Sequence, residues 1–439
     1  MLRVALAALA LSATVAAAAE PNLVADVIRD FANAAAAQST VKPECVYDVE
    51  GRQVSSGPGI SSTRLTVEFV PNSERGQANL LLEGTLTAKL ATVQGRVTVC
   101  TDAAVSFTGR KCVCIDDQGV CWSPACVQVC PQLDLTGIST RFCLLNPAMR
   151  RLVERVYYRK EDESHAKFAF KTERRVRQQF DSEADVQLAK AARSYQNDVL
   201  GMLDRNHIRP QELRFSTTAE VMTVRARLEG AAPSDWAPLP VVRGRPDMSV
   251  RLHQSLLNNA AATIFAGKTK TGAELEHDMN SLLTPVGKKV ELDPEDRDNF
   301  NVTFASGLPI ETNFVGGKIK FMIRTKGFVA GERVVSDPFL IESLYDFRRV
   351  GSGLELERKD EVDVNPPDVA AGQREPSARE VTLSVVLKKR FNKLLPQKIA
   401  IEKIELPGEM KKLGNMEPVQ SDSDNGWLTL GFTRASKAQ

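Results

Sequence analysis

Cysteine is the residue type whose number and spacing first suggest chemistry in this sequence. The eight cysteines all lie in the first third of the chain, at Cys45, Cys100, Cys112, Cys114, Cys121, Cys126, Cys130 and Cys143. Their dense stretch, "CVCIDDQGVCWSPACVQVC", lacks the CxxC pair that zinc and iron–sulfur sites commonly use. In an exported chain an even number of cysteines favours disulfide bonds over a metal site or reactive thiols. Because eight cysteines allow 105 pairings, the connectivity stays open.

Other residue types that do chemistry are scattered. The four histidines, His165, His207, His253 and His277, form neither HxxxH nor HExxH. GxSxG, P-loop and GxGxxG motifs are missing. The acidic runs "DPEDRD" and "QSDSDNGW" are typical of a solvated turn and an Asn-Gly hairpin. We therefore predict no catalytic residue, no cofactor and no metal site, and expect a protein that is not an enzyme.

The N-terminal residues have the pattern of a secretory signal peptide. Residues 1–19 contain Arg3, an apolar run of Val, Ala and Leu, and Ala17-Ala18-Ala19 as a small-residue cleavage site. Beyond them no apolar run reaches the roughly 18 residues that a transmembrane helix needs. We expect an exported protein in the periplasm or outside the cell, with no transmembrane segment.

The overall charge gives no reason to expect a nucleic-acid partner. The formal net charge is +2 over 439 residues. The basic run "KTERRVRQQF" (171–180) is interpreted as the solvated face of a helix. A chain this long usually forms more than one domain.

The first predicted unit spans 20–230. An amphipathic helix is predicted over 22–35, with Asn22 as its cap, followed by strands of alternating apolar and polar residues. A cysteine-rich insertion at about 100–143 is expected to be a disulfide-stapled loop. A second helix is predicted within 180–206, and then a strand.

A proline-rich linker, 231–246, precedes the second predicted unit, 247–439. That unit opens with "DMSVRLHQSLLNNAAATIFAGK", which alternates like a strand and then has a helical apolar face that ends at Gly267. Capping-box pairs Thr271/Glu274 and Ser377/Glu380 predict two more helices. Since this order of elements repeats the first half, we predict an α+β fold: two elongated units of twisted antiparallel sheet, each wrapped around long apolar helices, joined by the linker.

The opening stretch of the second unit resembles the tubular lipid-binding superfamily, the family of the bactericidal/permeability-increasing protein. The matching residues are Met248, Ser255, Asn258 or Asn259, and Gly267. The segment "NGWLTLGF" is also similar to segments of uncharacterised exported bacterial proteins. The resemblance implies a two-barrel fold that binds lipid.

Two functions follow from these patterns. The first is an exported binding protein that holds a lipid or other apolar molecule between sheet and helix, because burial of each CH₂ contributes roughly 0.8 kcal/mol. Its predicted lining residues are Leu256, Leu257, Ala260, Ala261, Ile264, Phe265, Leu188, Tyr195 and Val199. The alternative is a cell-envelope structural or interaction protein with a solid core, whose disulfide-stapled loop binds an envelope protein partner through Trp122.

Overall fold

The structure, a computed structural model, describes residues 21–36, 38–141, 146–205, 208–230, 238–283, 289–401, 404–405 and 413–435. Over these residues the chain is α+β and its strands pair antiparallel in three sheets. The predicted signal peptide, 1–19, and part of the predicted linker, 231–237, lie outside the described residues.

The strands are numbered along the chain. They are β1 Leu23–Ile28, β2 Gln38–Glu50, β3 Gln53–Phe69, β4 Gly76–Gln94, β5 Val97–Ile115, β6 Val120–Trp122, β7 Cys126–Thr140, β8 Glu212–Thr217, β9 Val221–Arg227, β10 Met248–His253, β11 Thr269–Thr271, β12 Phe300–Phe304, β13 Ile310–Val315, β14 Lys318–Ala330, β15 Arg333–Val335, β16 Phe339–Val350, β17 Gly353–Arg358, β18 Asp363–Asn365, β19 Lys398–Ile401, β20 Ile404–Glu405, β21 Asn415–Asp424 and β22 Trp427–Arg434.

The helices are numbered in the same way. They are α1 Arg29–Ala36, α2 Asn146–Arg159, α3 Glu161–Ser194, α4 Gly201–Arg205, α5 Gln254–Phe265, α6 Gly272–Leu283, α7 Pro294–Asn299, α8 Pro367–Ala370 and α9 Ala378–Leu394. A π-helical segment, Tyr195–Leu200, joins α3 to α4. Among the helices of the described part, none combines the length and the apolar character that a bilayer span requires.

The chain divides into two compact units. Unit 1 comprises Met1–Phe31, Arg193–Ser216 and Val221–Gln439, and unit 2 comprises Ala32–Ala192 and Thr217–Glu220. These units differ from the predicted halves, because β1 and β9 pair in one sheet with β10 and β22 from the second half of the sequence.

Unit 2 is a sheet of long strands with α2 and α3. The strand order is β2-β3-β4-β5-β6, and β7 pairs with β5 beside β6. Along β5 the residues Ala103, Val105 and Phe107 are buried while Ala104 and Ser106 between them are exposed. This period of two shows that one face of the sheet is covered and the other is wet, as the sequence predicts.

Unit 1 contains the other two sheets. One has the order β20-β21-β22-β10-β1-β9-β8, and the second runs β11-β12-β14-β16-β17-β19, with β13 and β15 paired to β14 and β18 to β16. On the second sheet, α9 buries Leu383, Leu387, Phe391 and Leu394 in a cluster that includes Phe300, Phe328, Phe339 and Ile341. The predicted Ser377/Glu380 capping box is present at the start of α9.

The strand-to-helix pattern predicted at 247–268 is confirmed. Strand β10 runs directly into α5, and Gly267 adopts a φ of +69°, in the left-handed region that glycine tolerates. His253 caps the helix, since its Nδ1 accepts a hydrogen bond from the Ser255 N–H at 3.3 Å. Its ring lies 5.0 Å from that of Trp427, and burial lowers the pKa of His253.

The helix predicted over 22–35 is partly wrong, because its first residues form β1. Leu23, Val24 and Ala25 are buried between β9 and β10, and only 29–36 is helical. A strand covered on both faces is apolar at successive positions and imitates a helix in the sequence.

Strands β1 and β10 begin two copies of one local structure. They pair antiparallel with Ala25 opposite Val250, and an offset of 225 positions (250 − 25) aligns the two sequences at this central pair. That offset takes Asn33 of α1 to Asn258 of α5. Asn33 Oδ1 accepts from the Val67 N–H at 2.6 Å, and Asn258 Oδ1 accepts from the Thr312 N–H at 2.7 Å. The repeat inferred from the order of elements therefore extends to one residue identity and its hydrogen bond.

Candidate functional site

An apolar space in unit 2 lies between α3 and the covered face of the sheet. Phe180 of α3 is buried against Ala125 and Val127. Its ring sits over Gly109 of β5, where a Cβ would lie 3.3 Å from the ring. A Cβ at Gly84 of β4 would lie only 2.3 Å from the ring of Phe107, which is too close for both to be present. The two glycines let aromatic rings lie directly on the sheet.

Beside these rings the helix and the sheet separate and leave a cleft of about 230 Å³. Its apolar lining comes from both elements and includes Val46, Leu82, Leu86, Phe107, Phe168, Val176 and Phe180. Its polar lining includes Thr40, Ser61, Thr63 and Thr172. Because small polar side chains take several positions where helix meets sheet, the apolar residues do not close the gap.

A row of ion pairs joins α3 to β2 along the mouth of the cleft. Lys171 Nζ donates to Asp48 Oδ2 at 2.7 Å and to Glu50 Oε2 at 2.8 Å. Lys167 lies 3.4 Å from Glu50. The hydrogen bonds to Asp48 and Glu50 raise the pKa of Lys171, and that from Lys171 lowers the pKa of Glu50. A further pair, Arg175 with Glu44, closes to 3.5 Å. These charges lie in partial contact with water, so each pair is weak and is screened by salt.

A buried cation fixes α3 to the sheet beyond the cleft. Lys111 of β5 is 1% exposed and forms ion pairs with Asp181 and, at 2.9 Å, with Asp185 on α3. Asp181 Oδ1 also accepts from the Ala125 N–H at 2.9 Å. Burial alone lowers the pKa of Lys111, but the two carboxylates outweigh it and the pKa is raised. Helix α3 is therefore held strongly to the sheet by the buried ion pairs of Lys111 and only weakly by the partly exposed ion pairs at the cleft.

Chemically, the cleft offers an apolar interior with cations and carboxylates at its rim. That combination suits a molecule with an apolar portion and a polar end. Among the residues that the structure describes, no three His, Cys, Asp or Glu side chains lie close enough to hold a metal ion.

The residues predicted from the sequence to line a ligand site lie elsewhere. Leu256 and Ala260 pack with Leu23 and Leu228, and Leu257 packs with the cluster around Phe314. The ring of Phe265 lies 5.1 Å from that of Phe304. Tyr195 is buried against Phe215. Ala261, Ile264 and Leu188 are half-buried. The side chain of Val199 lies outside the described part. None of these eight described residues lines the cleft, and their contact with a ligand stays a prediction.

Sequence reasoning missed the helical side of the cleft. Phe168, Thr172, Val176 and Phe180 recur every four residues and share one face of α3. Most of them lie in the run "KTERRVRQQF", whose charges indicated a solvated face. The four-residue spacing could have indicated that this face of α3 packs against the sheet, although charged residues lie between its members.

The cysteines form one disulfide in the described residues, Cys114–Cys121, which links β5 to β6. Cys45, Cys100, Cys112, Cys126 and Cys130 are free thiols, and Cys143 lies outside the described residues. The segment predicted to be a stapled loop is instead mostly strand, because β5 and β7 pair along most of their length. A disulfide is compatible with an oxidising compartment.

Comparison with known proteins does not assign this chain to a family. No protein-family model matches the chain, and no curated protein matches its sequence. A crystal structure of lipopolysaccharide binding protein is similar with a TM-score of 0.34 and 12% sequence identity, covering 95% of this chain and 99% of that one. Membership of the tubular lipid-binding superfamily stays a prediction.

Proposed function

We propose that this chain is a binding protein that holds the apolar part of an amphiphile, such as a fatty acyl chain, in the cleft of unit 2. The observation that carries the proposal is the cleft itself, an apolar space of about 230 Å³ between α3 and the sheet with charged residues at its mouth. No catalytic group is needed for this function, and we propose none.

The size of the cleft limits what it binds. An engineered cavity of about 150 Å³ lined by apolar side chains accommodates benzene, whereas pockets for whole drug-sized ligands measure about 300–1,000 Å³. The cleft therefore suits one acyl chain or part of one. At roughly 0.8 kcal/mol for each buried CH₂, eight methylenes would contribute about 6 kcal/mol before the entropic cost of binding.

The charged mouth suits the polar end of such a ligand. Lys42 lines the cleft without an ion-pair partner among the described residues, beside the paired Lys171 and Arg175. A carboxylate or phosphate on the ligand would gain hydrogen bonds there from a cation that remains hydrated. We infer that an anionic headgroup lies at Lys42 while the chain lies against Leu86 and Phe107.

The proposal extends to the architecture and the compartment. We propose that the sheet of each unit wraps around its apolar helices, as the sequence pattern predicts, and that the protein is exported. The disulfide Cys114–Cys121 supports export because such bonds persist in oxidising compartments.

Filling the cleft tests the proposal. Val176→Trp places a large ring in the cleft, and we expect it to weaken binding of a fluorescent long-chain fatty acid by at least about tenfold. Val186→Trp is the matched control, since Val186 lies on the same helix and is 64% exposed. Lys42→Met should weaken binding of the fatty acid more than binding of a fatty alcohol of equal length.

Two results would count against this function. One is equal binding by the Val176→Trp protein and the wild type, with both folded by circular dichroism. The other is the absence of lipid in organic extracts of the protein from its native source, together with no binding of the probe. That pair of findings would favour the envelope interaction protein.

A further inference from the structure

Strand β2 forms an exposed edge of the unit 2 sheet. Within the described residues it pairs with β3, from Gln38 opposite Leu65 to Glu50 opposite Gln53, and with no other strand. The outer edge of this thirteen-residue strand is therefore open to another strand, and alternate residues turn their backbone N–H and C=O groups to it. Proteins usually shorten, twist or charge such an edge, because it can pair with another chain.

The outward face of β2 is apolar instead. Val41 is 69% exposed, Tyr47 66% and Val49 51%, and Pro43 and Cys45 between them are also exposed. The alternate residues, including Lys42 and Asp48, line the cleft on the other face. The apolar strip continues onto β3 through Ile60, which is 57% exposed and lies opposite Pro43. Exposed apolar strips of this kind mark interaction surfaces.

The position of Pro43 indicates which residues turn their backbone N–H and C=O groups to the free edge of β2. Proline is accommodated in an edge strand where its missing N–H faces away from the partner strand. In a regular antiparallel strand, residues of the same parity turn their N–H and C=O groups to the same side. Val41, Cys45, Tyr47 and Val49 therefore present these groups to the outer side.

We propose that the occupant of this edge is the β2 strand of a second copy, paired antiparallel about Cys45. In this register Cys45 lies opposite Cys45 and Val41 opposite Val49, since each pair of numbers sums to 90. Pro43 lies opposite Tyr47, and this pair forms one hydrogen bond instead of two because Pro43 has no N–H to donate. On the other face Lys42 lies opposite Asp48, which already pairs with Lys171 of its own chain, and Glu44 lies opposite Val46. The register thus matches the apolar residues of the exposed face with one another and brings one cation to a carboxylate on the other face.

The same register allows a disulfide between the two copies. Directly opposite residues of a hydrogen-bonded antiparallel pair have Cα atoms about 5.5 Å apart, which falls in the range that disulfides span. Cys114 and Cys121 are opposite residues of adjacent strands in this sheet, with Cα atoms 5.1 Å apart, and they are bonded. Cys45 is an exposed free thiol in the middle of β2.

The oxidation needs an external disulfide. One Cys45 thiolate attacks a low-molecular-weight disulfide, such as oxidised glutathione, and releases one thiol. The Cys45 thiolate of the second copy then attacks the mixed disulfide, forms the Cys45–Cys45 bond and releases the second thiol. Two protein thiols are oxidised and one small disulfide is reduced, with two protons lost from the protein.

The proposal does not depend on lipid binding and is tested by oxidation of the full chain with oxidised glutathione. We expect a dimer by light scattering and a Cys45–Cys45 peptide by mass spectrometry. Cys45→Ser should abolish the covalent dimer, whereas Cys130→Ser, which removes another exposed thiol, should leave it intact.

Charge exchange tests the register. Val41 and Val49 are about 26 Å apart in one strand, too far to pair within a chain. Val41→Lys alone and Val49→Asp alone should each slow dimer formation by roughly threefold to tenfold, and the double variant should restore it, because each new cation then lies opposite a new carboxylate.

Three results would overturn the proposal. The first is a monomer whose Cys45 remains open to alkylation after oxidation. The second is a bond from Cys45 to another cysteine of its own chain. The third is a covalent dimer whose rate of formation is the same in the wild type and in both single variants.

Discussion

Helices α9 and α3 each cover one face of a sheet, in unit 1 and unit 2 respectively, with different results. α9 presents Leu383, Leu387, Phe391 and Leu394 at spacings of four, four and three, and all four are buried. α3 presents Phe168, Thr172, Val176 and Phe180 at spacings of four, and of these only Phe180 is buried. The helical period alone therefore does not decide whether a helix makes a core or a cleft.

The sheet residues that face α9 and α3 also differ in character. The partners of α9 include Phe300, Phe328 and Phe339, whose rings occupy the space beneath the helix. The partners of α3 include Ser61 and Thr63, and its charged side chains reach over them to Asp48 and Glu50. A helix held by ion pairs over small polar residues leaves space that a ligand can use.

The largest expected effect sharpens this difference. Leu387 is 0% exposed, so Leu387→Ala removes a side chain from a packed core and should lower the free energy of unfolding of unit 1 by about 2–5 kcal/mol. Val176→Ala at the wall of the cleft should cost no more than about 1 kcal/mol. Urea unfolding followed by hydrogen exchange in α9 and α3 measures each unit separately. Val385→Ala, at a position 62% exposed on α9, is the control. Equal losses for Leu387→Ala and Val176→Ala would contradict the comparison.

An intermediate effect is expected at the buried anchor of α3. Lys111→Met leaves Asp181 and Asp185 without their cation and should destabilise unit 2 by about 1–3 kcal/mol. Because the folded-state pKa of Lys111 is raised, its contribution is complete below the ordinary value of 10.5 and is lost as the pH rises through the folded-state pKa. The wild type and Lys111→Met should converge in stability above pH 10.5. Lys89→Met, at an exposed position of β4, is the control, and no difference between the two variants at pH 7 would refute the anchor.

The smallest effect concerns the start of α5 in unit 1. The pKa of His253 is lowered in the folded state, so the unfolded chain binds the proton more readily. Stability is complete above the ordinary pKa of 6.5 and falls as the pH drops below it, by at most about 1.4 kcal/mol for each pH unit. His253→Asn keeps a side-chain cap without this titration, and should lose less stability than the wild type between pH 7 and pH 5. His277→Asn, at an exposed position, should behave as the wild type. Parallel pH profiles for the wild type and His253→Asn would show that this titration is not coupled to folding.

The segment from Met248 to Gly267 was predictable because alternation, helical spacing and a terminal glycine agree there. Residues 23–28 were not, since the successive residues Leu23, Val24 and Ala25 are all buried, and a strand covered on both faces resembles part of a helix in the sequence. Local patterns identify elements whose two faces differ, and they fail where both faces are covered.

The cleft was less accessible to sequence reasoning than the fold. Its walls bring together β2 and α3, which are more than 100 positions apart, as Lys171 and Asp48 show. The charges of 171–180 indicated contact with water, and two of them, Lys171 and Arg175, also pair across the mouth of the cleft. A period-four pattern reveals which side of a helix packs, but not what it packs against.

The position of β1 has a consequence for biosynthesis. Leu23 lies opposite Ala226 on one side, 203 positions later, and opposite Leu252 on the other. At a translation rate of roughly 5–20 residues per second, the nascent strand waits about 10–40 s for its first neighbour. During that time its apolar side chains and unpaired backbone groups are exposed, and binding by a chaperone would limit aggregation. Expression of either half of the gene alone would leave this strand or its neighbour unsatisfied, and inclusion bodies are the expected outcome.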